Sequence, residues 1–291
     1  MENHEPNENH IILNGKLKPG DRPYVSISSR AVSYGDGCFE TFRSYQGKFL
    51  ALDQHVKRLN GALNYLGMKT KFEISEEKIR KESTELLQEN HLDDKQALVR
   101  IQCWREGKRG YHTSADNPVS YAVSVSPLPD IPKSITLAKV ETRRIPASAL
   151  NPSYKLSNGI NYIRARREAS EQNADDALML NTRGFISETT IANIFWIKNQ
   201  HVFTPNIECD ILPGITRGIF NNLVRLESNK TIIKGKFTIS DIENAEAAFI
   251  CNSLREMVPV RSLDNVDFDP DHAFIQVLKK LYEVYRDQHL T

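Results

Sequence analysis

Lys155 stands in "SYKLSNG", between an aromatic residue and a leucine, after a proline-bearing loop and just ahead of a predicted helix. Such a lysine is either a solvated surface charge or a reactive amine, and the stretch alone does not decide which. Two further features of the same half of the chain are polar where a packed protein favours apolar groups or a plain turn. Glu188, in "GFISETTIANIFW", lies between two apolar strand-like runs, where a carboxylate is at least partly buried and needs a cationic partner. Residues 212–217, "LPGITR", form a proline and glycine turn leading into a helix, whose first backbone N–H groups can bind an anion. An amine, a buried carboxylate and an anion cradle are the three needs of pyridoxal phosphate: a group to bond its aldehyde, a partner for its ring nitrogen, and donors for its phosphate.

The elements that must position these groups are those of a chain of 291 residues, 40% hydrophobic and 26% charged, long enough for one large or two medium domains. A formal net charge of +1 provides no bulk field for a polyanion or an anionic membrane, so neither nucleic acid nor membrane is an expected partner. The polar start "MENHEPNENH" is unlike a signal peptide, no apolar run approaches the ~18 residues of a membrane span, and a cytoplasmic protein is expected. Cys38, Cys103, Cys209 and Cys251 lack CxxC spacing, which argues for buried free thiols over a zinc site or a disulfide framework.

"HIILNGKL" and "YVSISSRAV" read as short strands, and "LDQHVKRLNGALNYLGM" as a helix with Leu52, Val56, Leu59, Leu63 and Leu66 on one face and Asp53 as N-cap. A helix in "SEEKIRKESTELLQEN" precedes two period-two strands, "ALVRIQCWR" and "SYAVSVS". Three prolines in "PLPDIPK" mark a linker. Beyond it come the strand "SITLAKVETRR", a helix over about 158–172, "DALML", the hairpin "NIFWIKNQHVFTP", a helix after "ILPGITR", the strand "AAFICNS" and a C-terminal helix carrying Phe274, Val277, Leu278, Leu281 and Tyr285. Strands outnumber helices and few connections read as parallel crossovers, so the expected class is α+β with two domains, divided as 1–126, a linker over 127–133, and 134–291.

"KLSN", "GFISETTIANIFW", "LPGITR" and "DQHVKRL" resemble, in order, the signature segments of the fold-type IV pyridoxal-phosphate enzymes. This group holds branched-chain and D-amino acid aminotransferases and 4-amino-4-deoxychorismate lyase. The resemblance runs over about residues 11–260 and implies a smaller N-terminal α/β sandwich domain and a larger, barrel-like C-terminal domain that binds the cofactor. It also implies a homodimer, with the active site between the domains and a loop from the neighbouring subunit. On that resemblance Lys155 bonds pyridoxal 5'-phosphate covalently, Glu188 partners the ring nitrogen and Leu212 lies against the ring. Arg58, Ile215, Thr216 and Ser253 bind the phosphate, and Asn158 orients the phenolic oxygen. Plainer alternatives stand beside these roles: a solvated helix face for Arg58, helix N-caps for Thr216 and Asn158, and an exposed turn for Glu188.

Substrate choice falls to the first half. "DGCFET" with "REGKRGYHTSADNP" looks most like aminodeoxychorismate lyase of folate synthesis, with Arg105, Arg109, Tyr111 and Phe39 toward a small amino or carboxylate substrate, since guanidinium groups suit carboxylates. Arg109 and Gly110 can equally shape a hairpin turn. Trp104 and Glu106 stand where that pattern has small residues, and His112 follows Tyr111. The alternative is an aminotransferase for branched-chain or D-amino acids with 2-oxoglutarate, and a third reading is a pyridoxal-phosphate-binding protein without turnover.

Overall fold

Alternation of apolar and polar residues in "ALVRIQCWR" builds the central strand of an antiparallel sheet whose one face is buried throughout. The computed structural model describes residues 9–22, 24–226 and 231–291; the first eight residues of the polar leader lie outside them. By their contacts the described residues form two units, one running to Pro129 and taking in Tyr154–Asn158 and His289–Thr291, the other drawn from Asp130–Ser153 and Gly159–Gln288. The short segment carrying Lys155 thus groups with the first unit.

In the first unit, β1 (His10–Leu13), β2 (Lys16–Pro19), α1 (Arg30–Tyr34), β3 (Gly37–Tyr45), β4 (Lys48–Phe49), α2 (Leu52–Tyr65), α3 (Glu76–Glu89), β5 (Gln96–Arg105) and β6 (Val119–Pro127) follow in order. The sheet runs β2-β1-β6-β5-β3-β4. Its core face carries Cys38 and Phe42 of β3, Val99, Ile101 and Cys103 of β5, and Tyr121 and Val123 of β6, and packs with Leu52, Val56, Leu59 and Leu63 of α2 and Ile79, Leu86 and Leu87 of α3. The opposite face holds the alternate residues, Phe39, Arg100 and Gln102 among them.

Two local expectations are corrected. The second predicted strand, residues 24–32, is not one: Ser29 caps α1 by accepting from the Ala31 N–H, and Gly35 closes the helix at φ 62°. The N-cap of α2 is Ala51 rather than Asp53, which sits in the first turn where its charge suits the helix dipole.

The second unit contains β7 (Ile135–Lys139), α4 (Ile160–Glu171), β8 (Asp176–Leu180), β9 (Ile186–Thr189), β10 (Asn193–Lys198), β11 (His201–Pro205), α5 (Ile215–Leu226), β12 (Ile232–Gly235), α6 (Ile239–Ile242), β13 (Ala247–Asn252), β14 (Glu256–Leu263), β15 (Val266–Asp267) and α7 (Ala273–His289). Its nine strands run β12-β11-β10-β13-β14-β7-β8-β9, with β15 beside β14. The sheet curls: Ile186 of β9 donates its N–H to the Phe237 carbonyl just past β12, 2.7 Å away. Inside the curl pack Leu178, Ile194, Trp196, Ile250, Val258 and Val260. Outside, Ala165 and Ala169 of α4 pack on Ala177 and Met179, while Phe220 of α5 meets Phe195 and Phe249 of the sheet and stacks on Tyr282 of α7. Burial on both faces is why β8 and β13 are near-continuous apolar runs.

All four cysteines are free and buried. No helix among the described residues is long and apolar enough to cross a membrane. Phe249 is wholly buried and stacks on Phe195 at 4.9 Å between ring centroids. Phe249→Ala is therefore expected to cost about 3–5 kcal/mol of unfolding free energy in denaturant titration; a loss under about 1 kcal/mol would mean that this aromatic cluster does not hold the second unit together.

Candidate active site

Lys155 is fixed by backbone pairing. Phe39 donates its N–H to the Lys155 carbonyl and Ser157 donates to that of Gly37, both at 2.9 Å, and Leu156 bridges Cys38 in antiparallel register. Tyr154 anchors the segment on α2, its ring 5.4 Å from that of Tyr65, and it comes so near Gly61 that a Cβ there would stand 2.8 Å from the ring. The Lys155 Nζ lies 4.8 Å from the centroid of the Phe39 ring. Arg100, which sequence reading missed, places its Cζ 4.0 Å from the same centroid. Its outward register position on β5 was a legible signal, but its nearness to Phe39 rests on the pairing of β3 with β5.

Arg58 is not a solvated helix residue. Its side chain is only 11% exposed, and it forks onto the buried Glu40 of β3, Nε to Oε1 at 2.6 Å and Nη2 to Oε2 at 2.9 Å. His55, three residues earlier on the same face of α2, meets Oε2 through Nδ1 at 2.8 Å. Burial alone would raise the Glu40 pKa, but the Arg58 fork and the His55 contact outweigh it and hold the carboxyl at about 2. Burial pushes the His55 pKa down, against the pull of Glu40. A neutral imidazole facing an ionised, acceptor-only carboxylate carries its proton on Nδ1.

In the second unit, Glu188 is 4% exposed, in β9 rather than at a turn. Its Oε2 accepts from Asn193 Nδ2 and from the Leu212 N–H, each at 2.9 Å, and its Oε1 lies 3.2 Å from Arg144 Nη2. Asn193 also donates to the Leu212 carbonyl at 2.9 Å, so the carboxylate and the "LPGITR" turn are one hydrogen-bonded body. Arg144 in turn bonds the Tyr162 hydroxyl and, through Nε, the Asp210 carbonyl at 3.0 Å. At Gly214 a Cβ would overlap Asn193 Oδ1, so the turn admits glycine alone. Ile215 and Thr216 open α5, and the Thr216 hydroxyl lies 3.4 Å from that of Ser253. Thr216 is therefore inside the first turn and is not the cap. Asn158 is not a cap either: α4 starts from Gly159, without a side-chain cap, and the Asn158 backbone lies against Gly35.

The donor set fits the cofactor expected above. A paired, buried carboxylate is tied to a helix start flanked by two hydroxyls, and both polar ends of the Asn161 carboxamide are buried without a protein partner. Arg144, Tyr162 and Asn193 were not legible as candidate site residues, because each acquires its role from a contact distant in sequence.

The expected substrate residues divide. Arg105 is 3% exposed, with Nε at 3.1 Å from Asp36, Nη1 donating to the Gly67 and Ser114 carbonyls at 3.4 Å, and Nη2 donating to the Leu66 carbonyl. All three of its nitrogens thus meet protein groups, and Arg30 takes the same Asp36 oxygen at 2.7 Å while donating to the Lys108 and Gly110 carbonyls. Arg109, Tyr111 and His112 are exposed on the loop these arginines brace, with the Tyr111 ring 5.4 Å from that of Tyr34.

The fold is that of known aminotransferases. A branched-chain aminotransferase from Thermoproteus uzoniensis, solved with norvaline, superposes with a TM-score of 0.89 at 22% identity over 97% of this chain and 98% of that one. The branched-chain amino acid aminotransferase from Thermobaculum terrenum, in its PLP holo form, gives 0.88 at 20% identity over 99% of each chain. In sequence, a putative branched-chain-amino-acid aminotransferase of Methanocaldococcus jannaschii is 30% identical over 95% of both chains. The aminodeoxychorismate lyase of Bacillus subtilis is 27% identical over 89% of this chain and 88% of that protein. The family model of class IV amino-transferases matches residues 37–263, and the chain belongs to that family. It is thus a pyridoxal-phosphate-dependent enzyme.

Glu40 and His55 make acid stability a check on the first unit. A carboxylate whose folded pKa lies near 2, against an ordinary 4.5, contributes stability that is present above 4.5 and lost as pH falls toward 2. The depressed His55 acts in the same sense below 6.5, because the unfolded chain takes up that proton first. Thermal midpoints are expected to fall steadily from pH 6.5 downward, and less steeply in Glu40→Gln; parallel curves would remove the carboxylate from the account.

Proposed function

We propose that this enzyme is an aminotransferase that moves the α-amino group of an apolar, branched-chain type amino acid to 2-oxoglutarate. The observation that carries this reading is the Phe39 ring, which has the Lys155 amine on it at 4.8 Å and the Arg100 guanidinium at 4.0 Å. One substrate of such a reaction brings an aliphatic side chain and the other a second carboxylate; an apolar ring face beside a cation suits both. The similarity to the Methanocaldococcus jannaschii protein supports the same reading.

In this proposal Lys155 binds the cofactor and carries the proton taken from the substrate α-carbon. Bound pyridoxal phosphate supplies the electron sink that makes this proton removable. Glu188, oriented by Asn193 and Arg144, holds a proton at the ring nitrogen, and Leu212 bounds the ring. Arg58, Ile215, Thr216 and Ser253 hold the phosphate, and Asn158 orients the phenolic oxygen. Phe39 excludes water from the Lys155 amine. Arg105 serves by bracing the loop, and Arg109 is the arginine left outward to meet a carboxylate.

The exposed Arg109 and Tyr111, and the likeness to the Bacillus subtilis lyase, favour a second reading, aminodeoxychorismate lyase. We also propose a homodimer in which the 105–117 segment reaches the neighbouring subunit; Tyr111, 91% exposed at its tip, supports this. Four buried free thiols support a reducing compartment such as the cytoplasm.

Purified protein given L- or D-amino acids with 2-oxoglutarate is expected to form glutamate, most with branched-chain substrates. Pyruvate and 4-aminobenzoate from aminodeoxychorismate, without amino exchange, would establish the lyase instead. Borohydride reduction and peptide mapping are expected to find the pyridoxyl label on Lys155, and a label elsewhere refutes the assignment. Arg100→Met should raise KM for 2-oxoglutarate about ten- to a hundredfold, the effect of losing one charge-assisted contact, while KM for the apolar amino acid changes less than about threefold.

A further inference from the structure

Glu40 is 1% exposed in the core of the first unit, beside Phe42, and three groups converge on it: two nitrogens of Arg58 and one of His55, at 2.6, 2.9 and 2.8 Å. Stability does not explain this arrangement, since a buried ion pair is on balance no better than apolar residues of similar volume. Geometry does. An arginine on an exposed helix face samples many rotamers, whereas a two-point fork fixes the plane of its guanidinium. His55 holds the oxygen that Arg58 Nη2 also uses, so the carboxylate cannot rotate without breaking two contacts. The Arg58 side chain keeps 11% exposure, so the clamp does not close it off from solvent.

We propose that Glu40, steadied by His55, is a positioning residue that aims Arg58 at the phosphate of the cofactor. The inference rests on the reading that Arg58 binds that phosphate. Glu40 itself touches no ligand and acts through Arg58 alone. Its ionised state at neutral pH, set chiefly by Arg58 and His55 against the effect of burial, keeps the fork charge-assisted. A negative charge behind the arginine offers an anion no attraction of its own, so the benefit lies in orientation.

The test compares the affinity of the apoprotein for pyridoxal 5'-phosphate with its affinity for pyridoxal, which lacks the phosphate, followed by quenching of intrinsic fluorescence. Glu40→Gln is expected to weaken binding of the phosphorylated form about tenfold or more and to leave pyridoxal within about twofold, because only the phosphate contact is misaimed. Glu40→Asp keeps the charge but shortens the reach; it carries the same expectation where the glutamine variant does not fold. Equal loss for both ligands, or unchanged or tighter binding of the phosphorylated one, overturns the inference. Arg58→Ala separates the two levels. If it leaves the preference for the phosphorylated form intact, Arg58 is no phosphate ligand and the reading beneath the inference fails. If it abolishes that preference while Glu40→Gln keeps it, Arg58 binds the phosphate without help from Glu40.

Discussion

A carboxylate inside a protein must be matched by donors or it will not stay charged, and each unit of this chain is organised around one such group. In the second unit Glu188 draws in Asn193, the Leu212 N–H and Arg144, three partners from separate parts of the chain. The "LPGITR" turn therefore takes its place from the carboxylate, and Gly214 is required because Asn193 stands where a side chain would be. In the first unit Glu40 does the same for α2, fixing Arg58 and His55 on the face that the helix turns to β3. Both carboxylates hold other groups in place.

A third carboxylate, Asp36, is less buried and organises the loop after β5. It receives Arg30 and Arg105 on one oxygen, and those two arginines also reach carbonyls of the loop and of the chain just past α2. A segment rich in glycine and charge has little apolar surface with which to order itself, and guanidinium groups bonded to its backbone substitute for a core. The tip is left outward, with Arg109 and Tyr111 exposed. Bracing from below and exposure above is the arrangement expected of a loop that meets a ligand or a second chain.

Much of the architecture was legible in the sequence because it depends on local pattern. Period-two alternation marked β5 and β6, apolar spacing marked α2 and α7, and the hairpin of β10 and β11 does turn within its quoted run, at Asn199 and Gln200, both in the left-handed region. Lys155, Glu188 and the 212–217 turn stood out because each is costly or unusual in its own context. The residues from Tyr24 to Val32 misled for the same local reason: β-branched residues and serines suggest a strand, until Ser29 and Gly35 cap a helix in their midst.

What only the tertiary structure decided was the partner of each charge. Nothing near Arg105 in sequence shows that Asp36, Leu66, Gly67 and Ser114 surround it, and nothing near Arg100 shows that it shares the Phe39 ring with Lys155. An arginine bound to backbone carbonyls and one turned to a ligand have the same side chain and the same helix or strand propensity. They differ in what lies within about 3 Å of the guanidinium, and that is set by strand register and by contacts tens of residues apart. The sequence by itself therefore determined the elements and the reactive groups, whose costs are local, while the roles of the arginines and of Asn193, Tyr162 and Glu40 waited on the fold, because an ion pair is a property of two positions and a sequence shows them one at a time.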